Sequence, residues 1–396
     1  MAISIGTYLP PWGTEKARVV GFDEDALTMA VEAGRLAIGD GATVTKVVFV
    51  SRELPLLEGG NTAPLVAALR LSQDVEVVEQ IGGAPAVLSA LASAMPGTLV
   101  IGVDAATSAG AAAALVAGSN PVSLVGRVQR GLPQRARHAD GKIYADEDGR
   151  VMREMGVRGS IEAAELPGKP LVIAGLGARD AASWSAAGAP ALPTQGASSV
   201  LFAIAALAET GQSGLVAAFE QAAFAAANVD VSGSTVRRIE RPVQPVAKRK
   251  LNPGENIKIS LPAYTRAFDS KVRWQAGKCT KCGTLALPPR HYCLGCGADD
   301  SWEYTPLPFS GTVYTTTTVH VPVPALTTPY TMAVVQCDGS DVRCLMPVTD
   351  VPPGNAKIGS HGRLALRRIA MRTGVPDYGY AFSPDLPAEG QSGGAK

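Results

Sequence analysis

Two cysteine pairs constrain this chain more than anything else in it. Cys279-x2-Cys282 and Cys293-x2-Cys296 are separated by ten residues, in a sequence that holds six cysteines, all after residue 278. The spacing suits two short loops closing on one tetrahedral Zn²⁺ through four thiolates. A segment this small cannot hold itself together by burial alone, so the metal would act as its staple. The protein is thereby divided: a metal-pinned module lies near the C-terminus, and a long Ala/Gly-rich region without a thiol precedes it.

The 396 residues correspond to about two to three domains. Apolar residues make up 46% and charged residues 18%, which favours a chain with a large core over a disordered one. The 36 basic and 35 acidic residues nearly cancel, leaving +1 and no electrostatic footprint for nucleic acid or an anionic membrane. The first residues, MAISIGTYLPPWGTEK, show no basic stretch followed by an apolar one, so no signal peptide is expected. The most apolar run, Ala105 to Gly126, is interrupted by Asn120 and Pro121 and is too broken for a membrane span. Paired CxxC motifs without a secretory signal favour thiolate-bound zinc in a reducing cytoplasm over disulfides. The expectation is a soluble cytoplasmic protein that engages neither nucleic acid nor membrane.

Up to about residue 240, short apolar runs alternate with Ala-rich helical stretches. Thr45 to Val50, Thr98 to Val103, Pro170 to Gly175 and Leu215 to Phe219 read as buried strands. Asp23 to Ile38 reads as an amphipathic helix, and Ala84 to Met95 and Gly196 to Thr210 as buried ones. That alternation predicts a layered α/β domain. From about Val236 the texture becomes basic and Pro-punctuated (Arg237, Arg238, Arg241, Lys248, Arg249, Lys250; Pro242, Pro245, Pro253), which reads as a solvated connector. A short helix-like lead-in precedes the Cys module. After it, Thr312 to Val321, Thr331 to Cys337, Val342 to Met346 and Gly362 to Ile369 predict a small barrel of about five strands. The expected boundaries are 1–240 for the α/β domain, 241–262 for the connector and lead-in helix, 263–303 for the zinc ribbon, 304–385 for the barrel, and 386–396 for a disordered tail.

The C-terminal part resembles a known family, the rubredoxin-like zinc ribbon followed by an OB-fold that is found beside acyl-CoA enzymes. The residues that carry the likeness are Cys279-Thr-Lys-Cys282-Gly283, Leu287-Pro288-Pro289-Arg290, Cys293-Leu-Gly-Cys296-Gly297, Ser310-Gly311-Thr312-Val313-Tyr314 and Pro329-Tyr330. Residues 1–240 resemble the thiolase superfamily, in particular its hydroxymethylglutaryl-CoA synthase and ketoacyl synthase III branch. Here the order of several pieces is the evidence: Ile3 to Pro10, Asp23 to Ala30, Gly82-Gly83-Ala84-Pro85-Ala86, Pro96 to Asp104 and Gly196-Ala-Ser-Ser199.

That superfamily uses a Cys nucleophile at a helix tip, a His that activates it, and an Asn or second His in the oxyanion site. In this sequence the corresponding positions are degenerate: Gln80 (or Ile81 with one residue of slip) for the nucleophile, Gly175 where the His belongs, and Thr194 for the Asn. No Cys occurs before residue 279, and the only earlier His is His138, in a hydrophilic loop. Loss of nucleophile and base forfeits several orders of magnitude in rate. The α/β half is therefore expected to have lost its chemistry.

Other candidates read more blandly. Gly175-Leu-Gly177 lacks the third glycine of a dinucleotide loop and fits a tight turn. Asp104 at a strand end fits a turn or cap residue. Cys337 and Cys344 fit buried small hydrophobes. His291 lies between the Cys pairs, and His320 and His361 look isolated. Arg290, beside the ribbon, is a candidate to grip a CoA phosphate or to brace the ribbon.

The resemblance implies an acyl-CoA-binding accessory subunit in a hetero-oligomer with a catalytic thiolase-superfamily chain. Such a complex makes or breaks a carbon–carbon bond in an acyl-CoA thioester, with zinc as a structural cofactor. The alternatives are a stand-alone acyl-CoA lyase or decarboxylase that uses Gln80, and a single-stranded nucleic-acid binder, which the 5% aromatic content disfavours.

Overall fold

The computed structural model describes residues 3–106, 108–130, 135–137, 142–145, 148–221, 223–253, 258, 260–321, 324 and 326–385. His138 and the expected tail 386–396 lie outside them. The chain forms two compact units. One is built on residues up to Val243; the other runs from Gln244 on and takes in the short segments Gly21–Glu24 and Val66–Arg70.

In the first unit, β1 (Ile3–Leu9), α1 (Ala26–Ile38), β2 (Lys46–Ser51), β3 (Glu76–Gln80), α2 (Ala84–Ala92), β4 (Thr98–Asp104) and β5 (Gly110–Val116) follow one another. Their sheet runs β1-β5-β4-β2-β3, with β5 antiparallel to both neighbours and β4, β2 and β3 parallel. The next stretch gives β6 (Val122–Gln129), β7 (Val172–Ala174), α3 (Ser199–Thr210), β8 (Gly214–Glu220) and β9 (Ala223–Val229). This second sheet runs β6-β9-β8-β7, again with two antiparallel pairings followed by a parallel one. The second half therefore repeats the order and sense of the first, without a counterpart of β3 among the described residues.

α2 and α3 lie between the two sheets. α2 packs on β4 from one side and on β8 and β9 from the other, while α3 packs on β5 and on β7. Composition explains how one helix layer serves two sheets. β5 reads GAAAALV with every residue buried, and small side chains let backbones approach closely. Val87, Leu88 and Leu91 of α2 and Val200, Leu201 and Ile204 of α3 are fully buried in the shared core, each contributing about 1.5–3 kcal/mol. α1 lies equally close to its sheet, because a Cβ on Gly6 would come 2.2 Å from the Ala33 carbonyl oxygen.

Two sequence expectations are adjusted here. α1 is buried along most of its length rather than amphipathic, and it starts at Ala26, where a box formed by Asp25 and Thr28 caps it. The basic stretch from Val236 begins inside the sheet. β10 (Thr235–Glu240) pairs in parallel with β1, Arg237 donates to Ser4 and to the Leu36 carbonyl, and Arg238 forks onto Glu209 at 2.7 and 2.8 Å. Those two arginines have fixed partners, which a count of charges along the sequence cannot reveal.

In the second unit, α4 (Leu261–Phe268) runs into a π-helical turn, Asp269–Arg273. The ribbon follows, its β11 (Gln275–Cys279) flanked by β12 (Leu285–Ala286) and β13 (Trp302–Pro306). The barrel comprises β14 (Ser310–Val319), β15 (Tyr330–Cys337), β16 (Arg343–Pro347), β17 (His361–Arg372) and β18 (Val375–Pro384), in the order β16-β15-β14-β17-β18. A parallel bridge, Val348 to Phe382, ties the two ends of that order together. Inside, Arg367 is fully buried; it donates to Asp350 at 2.8 Å, and the other oxygen of Asp350 accepts from Ser383 at 2.7 Å and Arg363 at 3.1 Å. Arg367 also pairs with the buried Glu24 at 3.4 Å, so these buried charges compensate one another as a network rather than as a single pair.

Candidate functional site

The degenerate positions occupy real junctions of the α/β unit. Gln80 is the last residue of β3, in register with Val50, and the exposed Ile81 follows it. The chain then turns through Gly82 and Gly83 into α2, with Gly83 at the N-cap and Pro85 in the first turn. Gly83 abuts the end of β8, and a Cβ there would lie 2.4 Å from Oε2 of Glu220. The Glu220 carboxylate is itself paired with Arg52. On the other side of the same strand end, Gly175 has φ +89°, and a Cβ on it would press to 2.0 Å from the Phe219 carbonyl oxygen. The turn after Gln80 and the Gly175 turn therefore meet at Phe219–Glu220.

A carboxylate beside the N-cap of α2 lies near the positive end of that helix's dipole. The charged groups around it form pairs: Arg52 with Glu220, and Arg135 with Glu53 at 2.9 Å. Arg135 also donates its backbone N–H to Gln221 at 2.8 Å, next to Glu220. The sequence supplies no thiol here.

Thr194 is placed elsewhere. It is buried, its hydroxyl 2.8 Å from that of Ser198, beside Asp104. Asp104 ends β4 and accepts from the N–H groups of Ala197 (2.7 Å) and Ser198 (3.0 Å) and from the Ser198 hydroxyl (2.5 Å). It is thus the acceptor that closes the turn leading into α3. Burial pushes its carboxyl above the usual range, against the pull of those donors. The cap reading of Asp104 holds.

The zinc ribbon brings its four sulfurs together. The Sγ atoms of Cys279, Cys282, Cys293 and Cys296 all lie within 4.8 Å of one another, with Cys279–Cys296 at 3.8 Å and Cys282–Cys293 at 3.5 Å. A tetrahedron with about 2.3 Å Zn–S bonds has edges of roughly 3.8 Å, so the donor set fits Zn²⁺. The two loops are copies of one another. Gly283 N donates to Cys279 O and Gly297 N to Cys293 O, each at 2.9 Å; Cys279 N reaches Thr284 O and Cys293 N reaches Ala298 O, also at 2.9 Å. Each loop turns on a glycine in the left-handed region, Gly283 at φ +77° and Gly297 at +71°. The Thr284 hydroxyl beside Cys282 helps bring that thiol down to about 6.

Arg290 is exposed and makes no ion pair among the described residues. The crevice it lines with Cys279, Cys293 and Trp302 measures about 20 Å³, room for one water. His291 is engaged by neighbouring carboxylates: Nδ1 lies 2.5 Å from Asp300, whose N–H in turn bonds the His291 carbonyl. Cys337 and Cys344 lie on neighbouring barrel strands, and burial raises their thiols to about 12 and about 11. His361 differs from its sequence reading. Rather than isolated, it bridges Asp385 (2.7 Å) and Asp338 (3.0 Å). Neither partner is near it in sequence, so no local pattern announced the contact. Among the described residues, no helix is long and apolar enough to cross a membrane.

Comparison with known proteins sorts these parts. Residues 273–303 match the family described as ChsH2, rubredoxin-like zinc ribbon domain, and residues 304–367 match ChsH2, C-terminal OB-fold domain. A DUF35 domain-containing scaffold protein of Methanocaldococcus jannaschii is 32% identical over 111 residues, covering 27% of this chain and 78% of that protein. Among solved structures, an Ltp2-ChsH2(DUF35) aldolase is similar over 31% of this chain and 93% of that one (24% identity, TM-score 0.27). The 3-oxoacyl-(acyl carrier protein) synthase III of Pseudomonas aeruginosa is similar over 61% and 100% (15% identity, TM-score 0.45). The corresponding synthase of Thermus thermophilus is similar over 57% and 97% (17% identity, TM-score 0.43).

Proposed function

The chain belongs to the family of DUF35 domain-containing proteins, and from that membership we propose that it is a non-catalytic, acyl-CoA-binding scaffold subunit. Its mate would be a separate thiolase-superfamily chain that supplies the Cys and His. Together they would form or cleave a carbon–carbon bond in an acyl-CoA, in the cytoplasm. One observation carries the reading: the helix start that should present a nucleophile abuts the Glu220 carboxylate, in a half that contains no cysteine.

The docking edge is supported by the sheet. Among the described residues, β3 is the last strand of its sheet and pairs on one side only, with β2. Val77 and Val78 along it are half-buried, and Ile81 beyond it is 63% exposed. An unpaired edge with apolar side chains is a template for another strand. Four Cys ligands would hold Zn²⁺ as a closed structural site, keeping the two ribbon loops at fixed separation.

The test is co-purification with a thiolase-like chain encoded nearby, followed by assay of each chain alone and of the pair. Turnover of acyl-CoA by this chain alone would refute the proposal. The runner-up, a lyase or decarboxylase centred on Gln80, draws on the position of that amide at the α2 turn. Gln80→Ala separates the two, since it would abolish an isolated-chain activity under the runner-up and leave none to abolish under the proposal.

A further inference from the structure

We propose that the cavity beside α4 is a binding site for a phosphate ester. It measures about 320 Å³, and three cations line it: Lys258, Lys271 and Arg372. Asp377 holds two of them in place. It is 4% exposed on its side chain and accepts from Lys271 Nζ at 2.5 Å on one oxygen and from Arg372 Nε at 2.7 Å on the other. A buried carboxylate gripping two side chains that are each about one-third exposed is a preorganised clamp. Three cations against one carboxylate leave a surplus of two positive charges, enough to attract a dianion.

Two further features fit an anion. Ser260, the N-cap of α4, lines the cavity, and its hydroxyl makes no capping bond. The start of the eight-residue helix therefore adds the positive end of its dipole to the cationic lining. The remaining wall is apolar: Ala263 and Ala267 lie one turn apart on the same helix face as the Tyr264 ring, which packs on Phe268 at 5.7 Å between centroids. A phosphate would sit at the cationic end and a ring or short chain on the alanines. The volume is at the lower end for small-molecule sites. Burial, followed by the nearby Asp377, raises the Tyr264 hydroxyl above its usual range.

Assignment of the ester to CoA rests on the function proposed above; the anion site itself does not. The test is calorimetric titration of the full-length, zinc-loaded chain with CoA, dephospho-CoA and inorganic phosphate. CoA is expected to bind and to be displaced by inorganic phosphate. Lys258→Glu, an exposed charge reversal, should weaken it about tenfold. Ala263→Trp, on the exposed helix face, should block the cavity without altering charge, with zinc content and circular dichroism unchanged. Weaker binding of dephospho-CoA would place the 3′-phosphate at the clamp. Binding of inorganic phosphate alone, weakened by both variants, would keep the site but remove CoA as its ligand. CoA binding indifferent to both variants, or no binding of any of the three probes, would overturn the site. A chain that binds none of them yet still joins its partner would sink this inference and leave the scaffold role standing.

Discussion

The carboxylate of Glu220 occupies the space that any side chain on Gly83 would need, at 2.4 Å from the position of its Cβ. A flexible glutamate could swing aside, but the Arg52 ion pair holds it. Gly83→Ala should therefore cost about 1–3 kcal/mol in urea unfolding, as an overpacked site does. In a Glu220→Ala background the same change should cost only the few tenths to about 1 kcal/mol expected for glycine to alanine at an N-cap. Equal costs in the two backgrounds would show that the carboxylate does not hold this place.

Asp104 satisfies two buried N–H groups and one hydroxyl at the start of α3. Asp104→Ala leaves those donors without an acceptor and should destabilise the α/β unit by about 3 kcal/mol. Were Asp104 catalytic rather than structural, the variant would keep its stability and lose activity in the assembled complex. Chemical denaturation of the variant, read beside complex activity, decides between them.

The parts legible in the sequence were those encoded locally. The CxxC spacing gave the zinc ligands, because four sulfurs on two tight loops need no distant partner. Short β-branched and Ala-rich runs gave the strands, whose ends differ from expectation by up to three residues, as at Arg372 against the expected Ile369. The final strand, Val375–Pro384, carries Pro376, Asp377, Gly379, Ser383 and Pro384, residue types that favour turns, yet ten of its residues pair with β17. What sequence could not supply was long-range pairing: Arg237 and Arg238 reaching back to β1 and Glu209, Arg367 finding Asp350, His361 finding Asp338, and Glu220 closing on Gly83.

The ribbon predicts a metal dependence with a defined stoichiometry. Elemental analysis should find about one zinc per chain. Cys282→Ser or Cys296→Ser should release it and unfold the ribbon, since so small a module draws its stability from the metal. Proteolysis should then cut within 275–306 while the α/β unit resists. Full zinc retention in both variants would refute the four-thiolate site.

The barrel predicts a pH dependence with a definite sign. His361 begins β17 and lies between Asp385, which follows β18, and Asp338 in the β15–β16 turn; Ser310 at the start of β14 also donates to Asp338, at 2.5 Å. The hydrogen bonds to Asp385 and then Asp338 raise the imidazole above its usual 6.5. The folded state thus binds the proton more tightly than the unfolded chain does. The imidazolium's contribution is complete below about pH 6.5 and is lost as pH climbs through the raised value. Ser310 and then His361 hold Asp338 below its usual 3.8, so its own contribution fades only in acid, well away from this window. With His361 half exposed, the effect amounts to under about 1 kcal/mol. Between pH 6.5 and 9, wild-type stability should fall relative to His361→Gln, and raised salt should shrink the difference. Parallel stability curves for the two proteins across that range would mean that the imidazole carries no charge in the latch.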